Sequence, residues 1–434
     1  MSNIKEVKNG HLYFDGCDTV ELAKEFGTPI YVYSKTDIVA RIDELKECFV
    51  APYPKNRIAY AAKAFCCMGI YKLCENEGIS MDVVSGGELF TAMKAKIDPE
   101  KLEFNGNNKL PSELAAAIDY GVGRIIVDGE QELDLIEKIC EEQEKTTDIL
   151  IRITPCVEVD THDYIVTGRK DSKFGLNIDP DVIFPYIKRA IDSKYVRFHG
   201  FHYHLGSQLF DNKPMLDAVD VALELMKECR ERFGFAPGEL NIGGGVGVTY
   251  TDEVRMPFSY FYTPILEKIA AWCEKEDYEM PAIICEPGRA LVAEAGIQLY
   301  TVGMTKNIPG IRRYAAIDGG MSDNIRPALY GSVYGGVVAN RVDEPADEIV
   351  TICGKCCEGD SDMIIKGGKF ASPRSGDIIA VFSTGAYGYS MANNYNRNPI
   401  PGVVIVEKGE AEWLIKPQSY EHMTALDLLP EMLK

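Results

Sequence analysis

Between residues 57 and 286, short runs rich in β-branched and apolar residues alternate with amphipathic segments. In residues 215–229, for example, Leu216, Val219, Leu223 and Met226 recur at helical spacing and fall on one face. The apolar runs predict strands at 57–62, 79–84, 101–105, 124–128, 148–154, 198–204, 239–243 and 281–286. Strands that alternate with helices form parallel sheets, so this part of the chain is α/β. Eight βα units in about 230 residues predict a closed, TIM-like (β/α)8 barrel. A doubly wound open sheet is the alternative, although it usually needs fewer strands.

The pattern changes after residue 294, where the apolar runs become short and are separated by Gly, Pro or Asp. They lie at 297–304, 313–318, 348–353, 377–383, 402–409 and 411–416. This spacing predicts a C-terminal antiparallel all-β domain. We assign residues 1–35 to an N-terminal segment that joins the β domain, 36–290 to the barrel and 291–434 to the β domain. No low-complexity linker separates the domains, so we expect a site in the crevice between them.

Composition and charge narrow the classes of partner. The chain has 434 residues, of which 46 are basic and 66 acidic, and its net charge of −20 argues against nucleic-acid and membrane partners. The N-terminus lacks the apolar core of a signal peptide, and no stretch approaches the ~18 apolar residues of a membrane span. The odd number of cysteines, 13, predicts reduced thiols in the cytoplasm. Cys353, Cys356 and Cys357 include a C-x-x-C spacing but no second pair or nearby histidine, so we expect no metal.

Reactive side chains at the carboxyl ends of the barrel strands are the first candidates for a site. Lys63 follows the first strand in the sequence YAAKAF. Its apolar neighbours predict partial desolvation, which would lower the pKa of the amine and make it nucleophilic. A lysine that reaches solvent at a strand end is the alternative.

The sixth and seventh strands end in FHYHLGSQ and in three glycines. His204, as a neutral imidazole, is suited to stack on a flat cofactor, while Ser207 can donate to a phosphate. His202 has the same strand parity, and either ring can instead be a packed core histidine or a metal ligand. Gly243–Gly245 can form an anion-binding nest of N–H groups, or simply a tight turn.

The eighth strand ends in EPGR. Glu286 at that depth can pair with a protonated ring nitrogen, and Arg289 can bind a carboxylate through its planar fork. A structural ion pair between the two residues is the alternative.

Taken in order, these motifs resemble the fold-type III decarboxylases that use pyridoxal 5'-phosphate (PLP), and within them the diaminopimelate decarboxylases. The match extends over residues 60–396 and is carried by YAAKAF, SMDVVSGGEL, THDYIVTGRKDSKFG, FHYHLGSQ, GGG, EPGRALV, DGGMSDNIRPALYG, GKCCEGD and GAYGYSMANNYN. One departure is visible. The family usually reads C-E-S-G-D, whereas Cys357 and Glu358 are followed here by Gly-Asp-Ser-Asp, which shifts the loop by about one residue.

The resemblance implies decarboxylation of meso-2,6-diaminopimelate to L-lysine and CO2, the last step of lysine biosynthesis, by a homodimer with shared sites. It implies that Lys63 holds PLP covalently, that His204 stacks on its ring and that Glu286 holds its ring nitrogen. Cys357 would return a proton to the substrate from the partner subunit. The residues implied around the phosphate are Ser207, Gly244, Gly245, Pro287, Gly288, Arg289 and Tyr387. Those implied at the far end of the substrate are Arg289, Arg326, Tyr330, Glu358 and Tyr387.

Three other interpretations remain open from the sequence. A related decarboxylase of ornithine, lysine or a carboxylated polyamine would share the cofactor site but would not need Arg289, Arg326 and Glu358 at one substrate end. An enzyme like alanine racemase would share the barrel but needs a base on each face of the substrate. A regulatory homologue without activity would not need both Lys63 and Cys357.

Overall fold

The computed structural model describes residues 5–157 and 172–434. The chain divides into two compact units. The barrel unit comprises Arg41–Val248 and Val254–Ala290, and the β unit comprises Met1–Ala40, Thr249–Glu253 and Leu291–Lys434. Of the motif THDYIVTGRKDSKFG, residues 161–171 lie outside the described residues.

The strands are, in chain order, β1 (Lys5–Lys8), β2 (His11–Phe14), β3 (Cys17–Asp18), β4 (Ile30–Ser34), β5 (Arg57–Ala61), β6 (Ser80–Val83), β7 (Leu102–Phe104), β8 (Arg124–Val127), β9 (Thr147–Thr154), β10 (Leu176–Asn177), β11 (Val196–His202), β12 (Glu239–Asn241), β13 (Ala282–Cys285), β14 (Gly296–Ile308), β15 (Arg312–Ile317), β16 (Gly336–Val338), β17 (Glu348–Cys353), β18 (Met363–Phe370), β19 (Ile378–Val381), β20 (Gly402–Glu407) and β21 (Glu410–Ile415). The α-helices are α1 (Thr19–Phe26), α2 (Lys35–Leu45), α3 (Met68–Asn76), α4 (Gly86–Lys94), α5 (Pro111–Tyr120), α6 (Glu130–Gln143), α7 (Pro180–Asp192), α8 (Lys213–Phe233), α9 (Phe258–Glu276), α10 (Arg289–Val292), α11 (Arg326–Tyr330) and α12 (Tyr420–Thr424).

Within the described residues, eight parallel strands close the predicted barrel. Their order is β5-β6-β7-β8-β9-β11-β12-β13, and the ring closes where β13 pairs with β5. Each coincides with a predicted strand to within two residues at either end, so the (β/α)8 prediction is confirmed. The short β10 pairs with the last two residues of β9, Ile153 and Thr154, and is not one of the eight strands of the barrel.

The helices cover the barrel through one apolar face each, as α8 illustrates. The predicted face of this helix is correct, since Val219, Leu223 and Met226 are buried, while Leu216 at its edge is half-buried. The helix runs four residues further than predicted, to Phe233, and ends where Gly234 adopts a left-handed conformation.

A group of charged residues joins the amino ends of three barrel strands. Glu239, at the start of β12, accepts hydrogen bonds from Arg57 of β5 at 3.1 Å and from Arg124 of β8 at 2.7 and 2.9 Å. Burial by itself raises the pKa of Glu239, but the two arginines outweigh it and lower the pKa to about 2. This carboxylate therefore stays ionised and ties the three strands together at the end of the barrel away from their carboxyl ends.

The β unit is a mostly antiparallel sheet domain, as predicted. Its main sheet has the order β18-β17-β15-β14-β4-β20-β21, and β19 pairs with both β14 and β16. Two pairings, β15 with β17 and β4 with β20, are parallel and were not predicted. Side-chain alternation along a strand is the same in parallel and antiparallel pairs, so the sequence pattern carries no information on strand direction. Among the described helices, none combines the length and apolarity needed to cross a membrane.

Candidate active site

The candidate residues of the barrel unit follow the carboxyl ends of four strands. Lys63 follows β5, His204 follows β11, Gly243–Gly245 follow β12 and Glu286 follows β13. Because these strands are parallel members of one closed barrel, their carboxyl ends lie on the same rim. The structure therefore brings the four predicted segments together at one end of the barrel.

Lys63 lies in a short 3-10 turn, Ala62–Ala64, directly after β5. The turn is anchored to the loop after β13, since the backbone N–H of Ala61 donates to the carbonyl of Pro287 at 3.1 Å. The apolar neighbours of Lys63 are buried, but Lys63 itself is exposed. Of the two alternatives left open for Lys63, the structure therefore shows the lysine that reaches solvent and not the desolvated one, because the flanking alanines pack into the barrel wall while the long side chain extends outward.

Glu286 is buried, and one of its carboxylate oxygens is fully occupied. Oε1 accepts hydrogen bonds from Asn105 Nδ2 at 3.1 Å, His202 Nε2 at 3.0 Å and Asn241 Nδ2 at 2.8 Å. None of the described residues donates a hydrogen bond to Oε2. Burial alone raises the pKa of Glu286, but the interaction with His202 outweighs it and holds the pKa below its usual value. The site thus holds an ionised carboxylate with one oxygen left for a ligand.

The two histidines of FHYHLGSQ have different roles. His202 is buried and donates through Nε2 to Glu286, so it is the packed core histidine considered above. His204 is half-buried and accepts at Nδ1 the backbone N–H of Gly244 at 3.2 Å, which leaves any ring proton on Nε2. Burial and the charges of Lys63 and Arg152 hold the pKa of His204 well below its usual value. Its imidazole is therefore neutral, as predicted.

The glycine loop after β12 has fewer N–H groups available to bind an anion than the predicted nest. The N–H of Gly243 donates to Asn241 Oδ1 at 2.9 Å, and that of Gly244 donates to His204. Within the described residues, the N–H of Gly245 has no acceptor, and its φ of +115° favours glycine. A Cβ on Gly244 would lie 2.1 Å from the carbonyl oxygen of Glu286. The loop therefore needs glycine for close approach, and of its three N–H groups that of Gly245 alone has no acceptor in the part of the chain that the structure describes.

Ser207 and Arg289, both predicted at the phosphate, contact each other. Nε and Nη2 of Arg289 donate to Ser207 Oγ at 3.2 and 3.1 Å. Arg289 is buried, as are Pro287 and Gly288 before it. These contacts place the Arg289 guanidinium beside the loop after β11.

In the β unit, three residues predicted for the far end of the substrate lie together. Arg326 is buried, and its guanidinium lies 5.2 Å from the ring centroid of Tyr330 and 5.3 Å from that of Tyr387. Its Nε donates to the hydroxyl of Tyr334 at 3.0 Å. No carboxylate among the residues that the structure describes forms an ion pair with Arg326. A buried guanidinium without a counter-ion is a strong indication of an anionic ligand.

Cys357 and Glu358 lie together on an exposed loop of the β unit. The residues after them differ from the family pattern, yet the loop is anchored. The Asp362 carboxylate accepts the backbone N–H groups of Met321 at 2.6 Å and of Cys356 at 2.8 Å. In the part of the chain that the structure describes, no group of three or more His, Cys, Asp or Glu side chains is placed to hold a metal.

Comparison with known proteins identifies the family. Residues 35–293 match the family model described as the pyridoxal-binding domain of pyridoxal-dependent decarboxylases. The chain is 44% identical to the diaminopimelate decarboxylase of Bacillus subtilis over 98% of its length and 97% of that protein. It is 45% identical to the enzyme of Bacillus methanolicus, over 96% of its length and 97% of that protein. The chain belongs to the diaminopimelate decarboxylase family.

A solved structure of the same family shares the fold. The crystal structure of diaminopimelate decarboxylase from M. jannaschii in complex with L-lysine has a TM-score of 0.93 and 34% identity. The match covers all of this chain and 99% of that one.

The cofactor of this family is PLP, and the residues of the barrel rim fit it. An exposed amine is present at Lys63 for the aldehyde, and Glu286 Oε2, which has no donor among the described residues, can accept from a ring nitrogen. The free N–H of Gly245 and the pair formed by Ser207 and Arg289 suit a phosphate.

Sequence reasoning missed the polar residues inside the barrel that hold Glu286. Asn105 Nδ2 donates to both Glu286 and Asp82. Asn241 Nδ2 donates to both Glu286 and Glu103. Burial raises the pKa of Glu103 to about 7. Asn105 ends a predicted strand, whereas Asp82, Glu103 and Asn241 lie inside predicted strands, where they resemble ordinary polar residues of a strand.

We predict that Asn241→Ala weakens PLP binding at least ~10-fold, because a hydrogen bond to a charged group contributes about 1.5–3 kcal/mol. The variant also removes the acceptor for the N–H of Gly243. Titration of the cofactor-free protein with PLP measures the change in Kd. Asn76→Ala, at an exposed asparagine at the end of α3, serves as the control. An unchanged Kd in Asn241→Ala would show that Glu286 does not depend on this donor.

Proposed function

We propose that the protein decarboxylates meso-2,6-diaminopimelate to L-lysine and CO2, the last step of lysine biosynthesis. The family places it among PLP-dependent carboxy-lyases. The observation that carries the choice of substrate is Arg326, which is buried beside two tyrosines and has no carboxylate partner among the described residues.

The substrate of this reaction has a second amino acid centre at its far end. That centre carries a carboxylate and an ammonium group, which need a cationic and an anionic partner. Arg326 and Arg289 supply guanidinium groups, and Glu358 supplies a carboxylate. Ornithine has no distal carboxylate, so it would leave a buried guanidinium unmatched at a cost of a few kcal/mol.

The bound cofactor supplies the electron sink for the charge left when CO2 departs. Lys63 would hold it covalently, Glu286 would hold its ring nitrogen, and His204, neutral at its face, would add no competing charge. Ser207, Gly244, Gly245, Pro287, Gly288, Arg289 and Tyr387 would surround its phosphate. An ionised Glu286 would keep a proton on the ring nitrogen, which would strengthen that electron sink.

Cys357 would then deliver a proton from its Sγ to the carbon that lost CO2. A thiol holds its proton near neutrality and releases it readily, which suits a general acid. Tyr330 and Tyr387 flank the Arg326 guanidinium and would orient it toward the distal carboxylate.

We propose that the protein acts as a homodimer with shared sites, in the cytoplasm. Cys357 and Glu358 are exposed in the single chain. The C-terminal segment, residues 418–433, exposes several large apolar side chains, among them Leu426 at 92% and Met432 at 89%. An apolar surface of this kind supports coverage by a second chain. All 13 cysteines lie in the described residues and none forms a disulfide, which supports a reducing compartment.

The test of the activity is CO2 release from meso-diaminopimelate measured beside L-lysine, ornithine and the LL isomer. We expect kcat/KM for the meso isomer to exceed that for ornithine at least ~100-fold, because ornithine leaves buried donors unpaired. Comparable rates with ornithine or lysine would contradict the assigned substrate.

We predict that Arg326→Ala keeps the visible absorbance of bound PLP and lowers kcat/KM for meso-diaminopimelate at least ~10-fold, since it removes one charge-assisted interaction. Arg374→Ala, at an exposed arginine of the same unit, is the control and should leave kcat/KM unchanged. Loss of PLP with unchanged substrate kinetics would assign Arg326 to the cofactor instead.

We predict that Lys63→Ala and Cys357→Ala, each inactive, restore activity when their subunits are mixed. Random exchange makes about half of the dimers mixed, and one of the two sites in each mixed dimer has both groups, so roughly a quarter of wild-type activity should return. The control is Lys63→Ala mixed with the double variant Lys63→Ala/Cys357→Ala. This mixture should stay inactive because no subunit in it carries Lys63. No recovery, despite demonstrated subunit exchange, would place Lys63 and Cys357 in one chain.

A further inference from the structure

Two residues of a distant turn hold the exposed loop of Cys357 and Glu358. The turn is Tyr395–Arg397, a short 3-10 segment of the motif NNYNR. The backbone N–H of Cys357 donates to Asn396 Oδ1 at 2.7 Å. The hydroxyl of Tyr395 donates to the carboxylate of Glu358. Both functional residues of the loop are thus contacted by neighbouring residues of one turn.

The turn itself has a strained backbone. Asn396 and Arg397 adopt φ of 52° and 55°, a left-handed conformation that asparagine tolerates but that is rare for arginine, so the strain lies at Arg397. Such conformations persist where surrounding contacts enforce them, and they are frequent at functional sites.

The C-terminal segment supplies those contacts. Arg397 Nη1 donates to the carbonyl of Met423 at 2.8 Å, and its Nη2 pairs with Asp427 at 2.7 Å. Asn394, just before the turn, donates to Gln418 Oε1 at 2.7 Å. A chain of contacts therefore runs from the C-terminal segment through Arg397 to the loop of Cys357 and Glu358.

We propose that Tyr395 and Asn396 are positioning residues, which orient Glu358 and Cys357 for substrate, and that the pair formed by Arg397 and Asp427 holds their turn in place. This inference rests on the proposed function, in which Glu358 binds the distal ammonium group and Cys357 delivers a proton. Neither Tyr395 nor Asn396 is assigned a contact with the substrate.

The physical reason is the exposure of the loop. A free glutamate side chain on a solvent-exposed loop samples many rotamers and loses this freedom when it binds a ligand. A hydrogen bond from Tyr395 fixes the carboxylate before the substrate arrives, so less ordering remains to oppose binding. Loss of the Tyr395 hydroxyl should therefore act on substrate affinity, whereas loss of the Asn396 amide should act on the proton step.

The experiment compares Tyr395→Phe with Glu358→Gln in the full PLP-bound enzyme. The matched control is Tyr420→Phe, a tyrosine of the C-terminal segment that is 72% exposed. The readouts are KM and kcat for meso-diaminopimelate, the Kd of L-lysine measured by calorimetry, and Tm. L-lysine retains the amino acid centre that the distal site would bind, so its Kd reports on that site without turnover.

We expect Tyr395→Phe to raise KM and the Kd of L-lysine about 10-fold, with kcat nearly unchanged and Tm equal to that of Tyr420→Phe. Asn396→Ala should lower kcat with little change in KM. Asp427→Asn should raise KM as Tyr395→Phe does, by a smaller factor, and an unchanged KM there would remove the C-terminal segment from the proposal.

The outcomes separate the two levels of inference. If Glu358→Gln raises KM and the Kd of L-lysine while Tyr395→Phe leaves both unchanged, the positioning role is overturned and the proposed function stands. If neither variant changes them, Glu358 is not the distal group, and both that assignment and the positioning role fall. A lower Tm in Tyr395→Phe with unchanged KM, kcat and Kd would overturn the proposal in favour of a purely structural role.

Discussion

The barrel unit is organised around a buried carboxylate that must remain ionised. A charged group inside a protein is costly unless hydrogen bonds replace its lost hydration. For Glu286 these come from Asn105, His202 and Asn241, which lie on three different strand ends, and all converge on one oxygen. Only a closed barrel brings these strand ends around a common axis, so the charge state of Glu286 depends on barrel closure.

The same arrangement determines what surrounds the carboxylate. Asn241 donates through Nδ2 to Glu286 and to Glu103, and its side-chain Oδ1 accepts the N–H of Gly243. The next amide, of Gly244, is used by His204, which thereby keeps Nδ1 unprotonated. Ring orientation, glycine loop and carboxylate are therefore parts of one hydrogen-bonded network, in which changing one member affects the others.

The β unit contributes residues of a different kind. Its buried Arg326 has aromatic neighbours but no carboxylate partner among the described residues, whereas Arg57 and Arg124, at the amino ends of barrel strands, are both paired with Glu239. The charge of Arg326 is therefore available to a ligand, whereas Arg57 and Arg124 stabilise the fold through Glu239. Cys357 and Glu358, by comparison, lie on the surface, in a loop that is held by Asp362 and by hydrogen bonds to the turn Tyr395–Arg397.

The sequence by itself determined the barrel, the eight strands and the rim on which Lys63, His204, Gly243–Gly245 and Glu286 lie, because hydrophobic periodicity reports which residues face a core. It did not determine the parallel pairing of β4, since periodicity is blind to strand direction. Nor did it decide between an exposed and a desolvated Lys63, or reveal that Asn241 Oδ1 accepts the N–H of Gly243. Hydrogen-bond partners such as Asn105 and Glu286 are distant in the chain, so only the tertiary structure decides which donors each buried group receives.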